Sequence, residues 1–477
     1  MTKAINIDFI VLMLLPIGLV ICTFFKQDNI SYYGFFLIIA LGLYELMVYP
    51  KREMFGFSGI KIVAIPSLAL LTFTLFIGLP AIYIVSIHPT IAGKMFFFSV
   101  LSFYILFPLG LLFGHYLKPL DRDKYSAIFS QDFFIISNEI VIFEALIVIY
   151  ISCIGIFLLY LSQTPIIPLI ELIRHPGDLS MLTMAREEAF KLLKISVFER
   201  YLFTWLRSLL LPIGTVGSFY LWLVSRENRN LVLSILYALT GLLVNSITLE
   251  KSPTAALMLT IIVLFYLKKG KLNLKFIAVS FLIVFTVPFF IMIMLHSAEK
   301  NFLYVVWITF LYRIFIVPAE VLYHYFEIFP DIHEFLLGRS SQVFSWLYYD
   351  GTFPLSNYVA RIWWRAPQAT TLANANYIGY FWADFGFWGV VVSTFLVGLV
   401  IYMLFWLLIS ASRYKKNFLY VVSVSVMAPI FTFVFFSSNF TTLFFTRGLI
   451  FFILIFMMVL YTNRVKEENR IIFNYER

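Results

Sequence analysis

The sequence predicts an all-α polytopic membrane protein of about twelve transmembrane helices, with further non-spanning helices in two outward loops. Three observations carry this. The 477 residues are 61% hydrophobic and only 13% charged, whereas soluble domains are about a quarter charged. The mean hydropathy is +0.92. Apolar stretches of roughly 18 residues or more recur along the whole length, the run that about 30 Å of hydrocarbon demands of a helix.

Spans are expected near 6–25, 32–50, 59–88, 94–116, 139–162, 200–224, 231–248, 253–268, 274–296, 386–411, 418–437 and 443–462, so that 1–477 reads as a single integral membrane domain. The first apolar stretch lacks a small-residue cleavage site and reads as a retained helix. Cys22 and Cys153 both lie in apolar segments, which fits packing better than a disulfide or metal-ligand pattern. No repeat or low-complexity tract stands out.

Orientation follows from the basic residues. Lys51-Arg52, Lys118 with Arg122 and Lys124, Arg226 with Arg229, Lys268-Lys269-x-Lys271, Arg413 with Lys415-Lys416, and Arg464 with Lys466 all fall on one side of these spans. The positive-inside rule makes that side cytoplasmic, with both termini on it. Two long connections, 163–199 and 297–385, then face outward, which in a bacterium means the periplasm or outer surface. The net charge of +9 needs no nucleic-acid partner to explain it.

Within the second outward connection, Phe302 to Glu327 is apolar enough to span yet contains Arg313, Glu320 and His324. A span there would put the Arg413-Lys415-Lys416 cluster outside, so it is read as a helix packed within or against the bundle from the outer side. On a helical projection Thr309, Arg313, Glu320, His324 and Glu327 fall within about 40° of one line. Such a polar stripe at membrane depth is a functional hypothesis by default. Its bland alternative is that Arg313 and Glu320 satisfy each other, and Pro318 can kink the helix between them.

In the first outward loop, Thr183 followed by Glu187 and Glu188 reads as a capped amphipathic helix start. Arg186 falls in its apolar arc, where it either reaches water or Glu199 or meets a buried anion. The second loop holds Arg339, Arg361 and Arg365 among Trp346, Tyr348, Tyr349, Tyr358, Trp363 and Trp364. Guanidinium forks suit phosphate and flat rings suit sugar faces, although an interfacial belt explains part of the aromatic excess. Between two spans, Asn245 and Thr248 to Pro253 crowd polar groups into a short turn. There Lys251 is either a phosphate contact or the ion-pair partner of Glu250. No nucleotide loop, HExxH, paired His/Cys spacing or nucleophile elbow occurs, which favours chemistry without metal or nucleotide.

Several stretches together resemble the oligosaccharide repeat unit polymerases that build O-antigen and related bacterial polysaccharides. They are Thr164-Pro-Ile-Ile-Pro-Leu169 with Met184-Ala-Arg-Glu-Glu188; Thr248 to Ser252; Arg313 with Tyr325-Phe-Glu-Ile-Phe-Pro330 and Gly338-Arg-Ser340; and Ala373 to Gly398. The resemblance implies a bacterial inner-membrane enzyme with two large outward loops whose arginines matter. Its donor and acceptor would be undecaprenyl-pyrophosphate-linked glycans, with no cofactor, a membrane-lipid environment and room for a chain-length regulator protein. In such a reaction a sugar hydroxyl attacks the anomeric carbon of the growing chain and expels undecaprenyl pyrophosphate. Arg313, Arg186, Arg339, Arg365, Arg361 and Lys251 are candidates for holding the anion or glycan, with Tyr325 beside them. Glu320, His324 and Asp384 are the candidate bases. The rivals are an O-antigen ligase, for which two loops rather than one argue poorly, and a flippase or transporter, for which the long loops and near absence of charge in the expected spans argue poorly.

Overall fold

A computed structural model describes residues 64–121, 138–164, 166–175, 196–269, 274–295, 301–341, 351–363 and 372–475, with the single positions 128, 134, 178, 181, 184, 185 and 348. The expected spans at 6–25 and 32–50, the amphipathic helix bearing Arg186, and Trp346, Tyr349, Trp364 and Arg365 lie outside the described residues. Among those described, every regular element is helical. The protein is an all-α polytopic membrane protein.

The helices are α1 (Ile65–Ile87), α2 (Ile91–Leu117), α3 (Glu139–Gln163), α4 (Pro168–Arg174), α5 (Phe198–Ser225), α6 (Asn228–Ser246), α7 (Lys251–Lys269), α8 (Leu274–Leu295), α9 (Phe302–Phe315), α10 (Val317–Ile328), α11 (Leu355–Trp363), α12 (Tyr377–Ala411), α13 (Phe418–Ser437), α14 (Phe440–Phe444) and α15 (Leu449–Tyr475). Eight of the described helices are long and apolar enough to cross a membrane: α1, α2, α3, α5, α6, α7, α12 and α13. Shorter apolar runs, Leu282–Met294 in α8 and Leu449–Val465 in α15, coincide with the other two expected spans. The single helix expected over 302–327 is instead two, α9 and α10. Pro318 has no N–H and its ring crowds the carbonyl one turn back, so the ladder is interrupted at Ile316, whose carbonyl accepts from both Ala319 and Glu320.

The chain divides into two compact units. One comprises Met1–Leu120, Leu311–Phe405 and Thr432–Thr441; the other comprises Asp121–Phe310, Trp406–Phe431 and Thr442–Arg477. In the first, α1, α2, α10 and the early part of α12 surround an aromatic core. Phe103 stacks on Phe73 at 3.7 Å and on Phe107 at 4.9 Å, and Phe96 meets Tyr323 and Phe326 edge-on. Helix α10 buries Val321, Leu322, Tyr323, Tyr325 and Phe326 and keeps Glu320, His324 and Glu327 off that face. In the second unit α5 presses on α6 so closely that a Cβ on Gly214 would lie 1.9 Å from the Tyr237 ring. The Tyr237 hydroxyl crosses to α3, donating to the Leu146 carbonyl at 2.6 Å.

Each unit uses the same local device once. In α1 a π turn over Thr74–Gly78 precedes Leu79-Pro80, and in α5 a π turn over Leu206–Leu210 precedes Leu211-Pro212. The Leu79 and Leu211 N–H groups reach back five residues, to the Thr74 and Leu206 carbonyls. A proline ring needs room where the preceding turn's carbonyl would stand, and the wider π turn supplies it without ending the helix.

The crossing of α2 and α12 depends on glycine at both sides. A Cβ on Gly110 would sit 2.1 Å from the Phe395 carbonyl oxygen, and one on Gly398 would sit 2.3 Å from that of Phe107. Small residues let spanning helices approach backbone to backbone, and a backbone obstacle cannot rotate away. Gly110→Leu or Gly398→Val should therefore destabilise the protein by about 1–3 kcal/mol or more, read as a lowered Tm in detergent. Gly155→Ala, with nothing within 4 Å, should leave the Tm unchanged.

Candidate functional site

The polar face of α10 meets the end of α1 and the start of α2. Helix α1 ends at His88, and Thr90 caps α2 by accepting from the Gly93 N–H at 3.0 Å. His88 stacks on Tyr323 at 4.6 Å, and the Tyr323 hydroxyl lies 3.3 Å from that of Thr90. These contacts fix α10 and leave Glu320, His324 and Glu327, spaced four and three apart, on one face.

On that face His324 Nδ1 lies 2.8 Å from Glu327 Oε2. A carboxylate only accepts, so Nδ1 carries the proton and the neutral ring offers its Nε2 lone pair. The Trp363 ring of α11 lies 4.5 Å away. Glu320 accepts from the Tyr312 hydroxyl at 2.9 Å, so the break at Ile316 is bridged by a side-chain bond. Only 13% of the His324 side chain is exposed, and this burial pushes its pKa below the usual histidine range; Glu327 and Glu320 oppose the shift and His88 adds to it. The ring is therefore held in one orientation by Glu327, and burial favours its neutral form.

Arg313 is exposed, and Glu320 accepts from Tyr312, so the alternative in which Arg313 and Glu320 satisfy each other is not what the structure shows. Arg361 is exposed in the last turn of α11. Arg339 lies beside Tyr348, its guanidinium carbon 5.8 Å from the ring centroid.

Two expected site residues are buried and hydrogen-bonded within the fold. Tyr325, proposed for substrate contact, is 0% exposed, and its hydroxyl donates to the Ala373 carbonyl at 2.7 Å. Asp384, proposed as a base, is 3% exposed and accepts from the Ser340 N–H at 3.1 Å and the Ser340 hydroxyl at 2.5 Å. With both oxygens engaged and water excluded, it pins the 336–341 turn. The loop aromatics also divide. Tyr358 packs against Phe329, His333 and Phe353, whereas Trp363 stands at the polar face.

The second unit contains a cluster that sequence reasoning missed. Arg207 lies inside α5, in its π turn, and only 12% of its side chain is exposed. It donates to Glu250 at 2.5 Å, to the Thr248 hydroxyl at 3.2 Å and to the Asn245 carbonyl oxygen at 3.5 Å. Glu250 is thus held by Arg207; the side chain of Lys251 is outside the described residues. The near absence of charge expected of the spans fails at this position. A charged residue within a span is itself a functional signal, and Arg207 carried it in the sequence. Among the described residues no group of His, Cys, Asp and Glu could hold a metal ion.

Because His324 takes up a proton less readily when folded, the unfolded chain binds more protons as pH falls below 6.5, and folding stability declines through that window. His324→Gln keeps a donor for Glu327 but does not titrate. Melting curves against pH should show wild type losing more stability below pH 6.5 than the variant; equal losses would contradict the assignment.

Comparison with protein-family models, curated proteins and solved structures finds no match for this chain, so its function has to be read from its own residues.

Proposed function

We propose that the chain polymerises lipid-linked oligosaccharide repeat units at the outer face of a bacterial inner membrane, by metal-independent glycosyl transfer from an undecaprenyl-pyrophosphate donor. The observation that carries this reading is the oriented pair His324–Glu327 beside Glu320, with the Trp363 ring alongside. Carboxylates, an imidazole and an indole face are the groups that recognise and deprotonate a sugar hydroxyl. The basic connections support the orientation, placing the α1–α2 turn with His88 and Thr90 on the outward side.

The acceptor hydroxyl oxygen forms a bond to the anomeric carbon as the bond from that carbon to the pyrophosphate oxygen breaks. The bonding pair leaves with undecaprenyl pyrophosphate. His324 Nε2 takes the hydroxyl proton, while Glu327 holds the ring and stabilises the imidazolium that forms. Charge grows on the departing pyrophosphate, and the exposed Arg313 is the nearest arginine in sequence to that face and suited to meet it.

Deletion of the gene should leave surface glycolipid as core capped with one repeat unit, seen on a gel. Bare core with lipid-linked polymer accumulating outside would indicate a ligase, and intermediates trapped inside would indicate a flippase. In the deleted strain, His324→Ala should lower polymer yield by about two orders of magnitude, as loss of a general base does. Arg313→Ala should shorten or thin the ladder. If both variants restore a normal ladder at normal protein levels, the reading fails.

A further inference from the structure

The Arg207 cluster brings two arginines to the neighbourhood of one carboxylate, Glu250. Arg447 is brought toward it by two contacts of the segment it occupies. The Trp205 indole N–H donates to the Phe445 carbonyl at 2.8 Å, and Gly448, at φ 75°, packs on Leu209. Arg447 is half-buried and interacts electrostatically with both Glu250 and Arg207. Burial pushes its guanidinium pKa down, Glu250 raises it and Arg207 lowers it further. Glu250 is ion-paired with Arg207 and within electrostatic reach of Arg447.

A second observation is independent of these charges. Asn245 is fully buried; its Oδ1 accepts from Arg207, yet its Nδ2 has no hydrogen-bond partner among the described residues. A buried amide donor left unmade costs about 1–3 kcal/mol, and an oxyanion beside Arg207 would satisfy it. The turn bearing Thr248 and Glu250 is also held firmly. Leu249 adopts φ 56° and is anchored in a core with Leu172 and Ile291, and the Ile247 carbonyl accepts from the Leu169 N–H at 3.2 Å.

Glu250 is more accessible than Arg207, with 34% of its side chain exposed against 12%. We propose that Arg207, Arg447, Asn245 and Thr248 form a binding pocket for a phosphate-type anion, with Glu250 as a displaceable internal counter-ion that occupies Arg207 until the ligand arrives. The planar guanidinium forks match phosphate oxygens as they match a carboxylate. The pocket does not rest on the glycosyl-transfer reading, since it requires only that an anion binds.

The test uses the full chain in detergent, titrated at constant ionic strength with inorganic pyrophosphate and with geranyl diphosphate, following Tm and intrinsic fluorescence. Wild type should be stabilised. Glu250→Gln removes the internal competitor and should bind the same probe at least tenfold more tightly, while Arg207→Gln should lose binding. Should Arg207→Gln not fold, Arg447→Lys, which keeps the charge but not the fork, should weaken binding. Tighter binding of geranyl diphosphate than of pyrophosphate would support a lipid-anchored phosphate, and equal binding a soluble one. No binding by wild type, or Glu250→Gln binding no more tightly, would overturn the proposal whatever the gel of surface glycolipid shows.

Discussion

Helix α12 cannot run straight through Gly386, where the backbone takes φ 62° and ψ −149°, and one end of the first unit is organised by what that break leaves behind. The carbonyls of Ala383 and Asp384 lose their partners one turn ahead. Backbone groups without partners are not tolerated at membrane depth unless protein covers them. Here the Leu336 and Leu337 N–H groups supply the missing bonds, each at 2.9 Å. The Asp384 carboxylate completes the junction by gripping Ser340, and the Trp382 indole donates to the Phe329 carbonyl at 3.0 Å. Since Phe329 directly follows α10, the break in one helix sets the position of the helix that carries Glu320, His324 and Glu327.

Much of this was legible in the sequence, because hydrophobic runs of membrane length are the least ambiguous local signal a chain can carry. The span expected from 386 begins at the Gly386 break, and from there to Ala411 the helix runs about 37 Å, ample for the hydrocarbon core. The Pro318 kink was readable from the missing N–H. What a projection of one helix cannot reveal is which partner takes a side chain. Glu320 pairs with Tyr312 rather than Arg313 because the interruption at Ile316 changes the register, and Asp384 and Tyr325 became struts because segments nearly fifty residues away bury them. Arg207 was overlooked for a different reason: the apolar run around it outweighed the one residue that mattered.

The two polar clusters solve the cost of charge at membrane depth in opposite ways. An arginine at the centre of a span costs about 2.5–3.5 kcal/mol on insertion scales, and Arg207 offsets this with three acceptors on the Asn245–Glu250 segment. That requires a rigid acceptor set, which explains why a bulky residue, Leu249, tolerates a left-handed backbone there: a strained residue persists where the surroundings over-determine it. His324 instead sheds its charge. Burial favours the neutral ring, and Glu327 keeps enough basicity for the nitrogen to remain useful.

These two solutions predispose the clusters to different chemistry. A neutral, oriented imidazole can gain a proton without needing a new counter-ion, because Glu327 is already in contact with it. A guanidinium already paired with a carboxylate can exchange one anion for another at small net cost, since the desolvation of the cation has been met by the fold. In each cluster the positions of the groups are set by a helix interruption: the Pro318 break for the first and the π turn before Pro212 for the second.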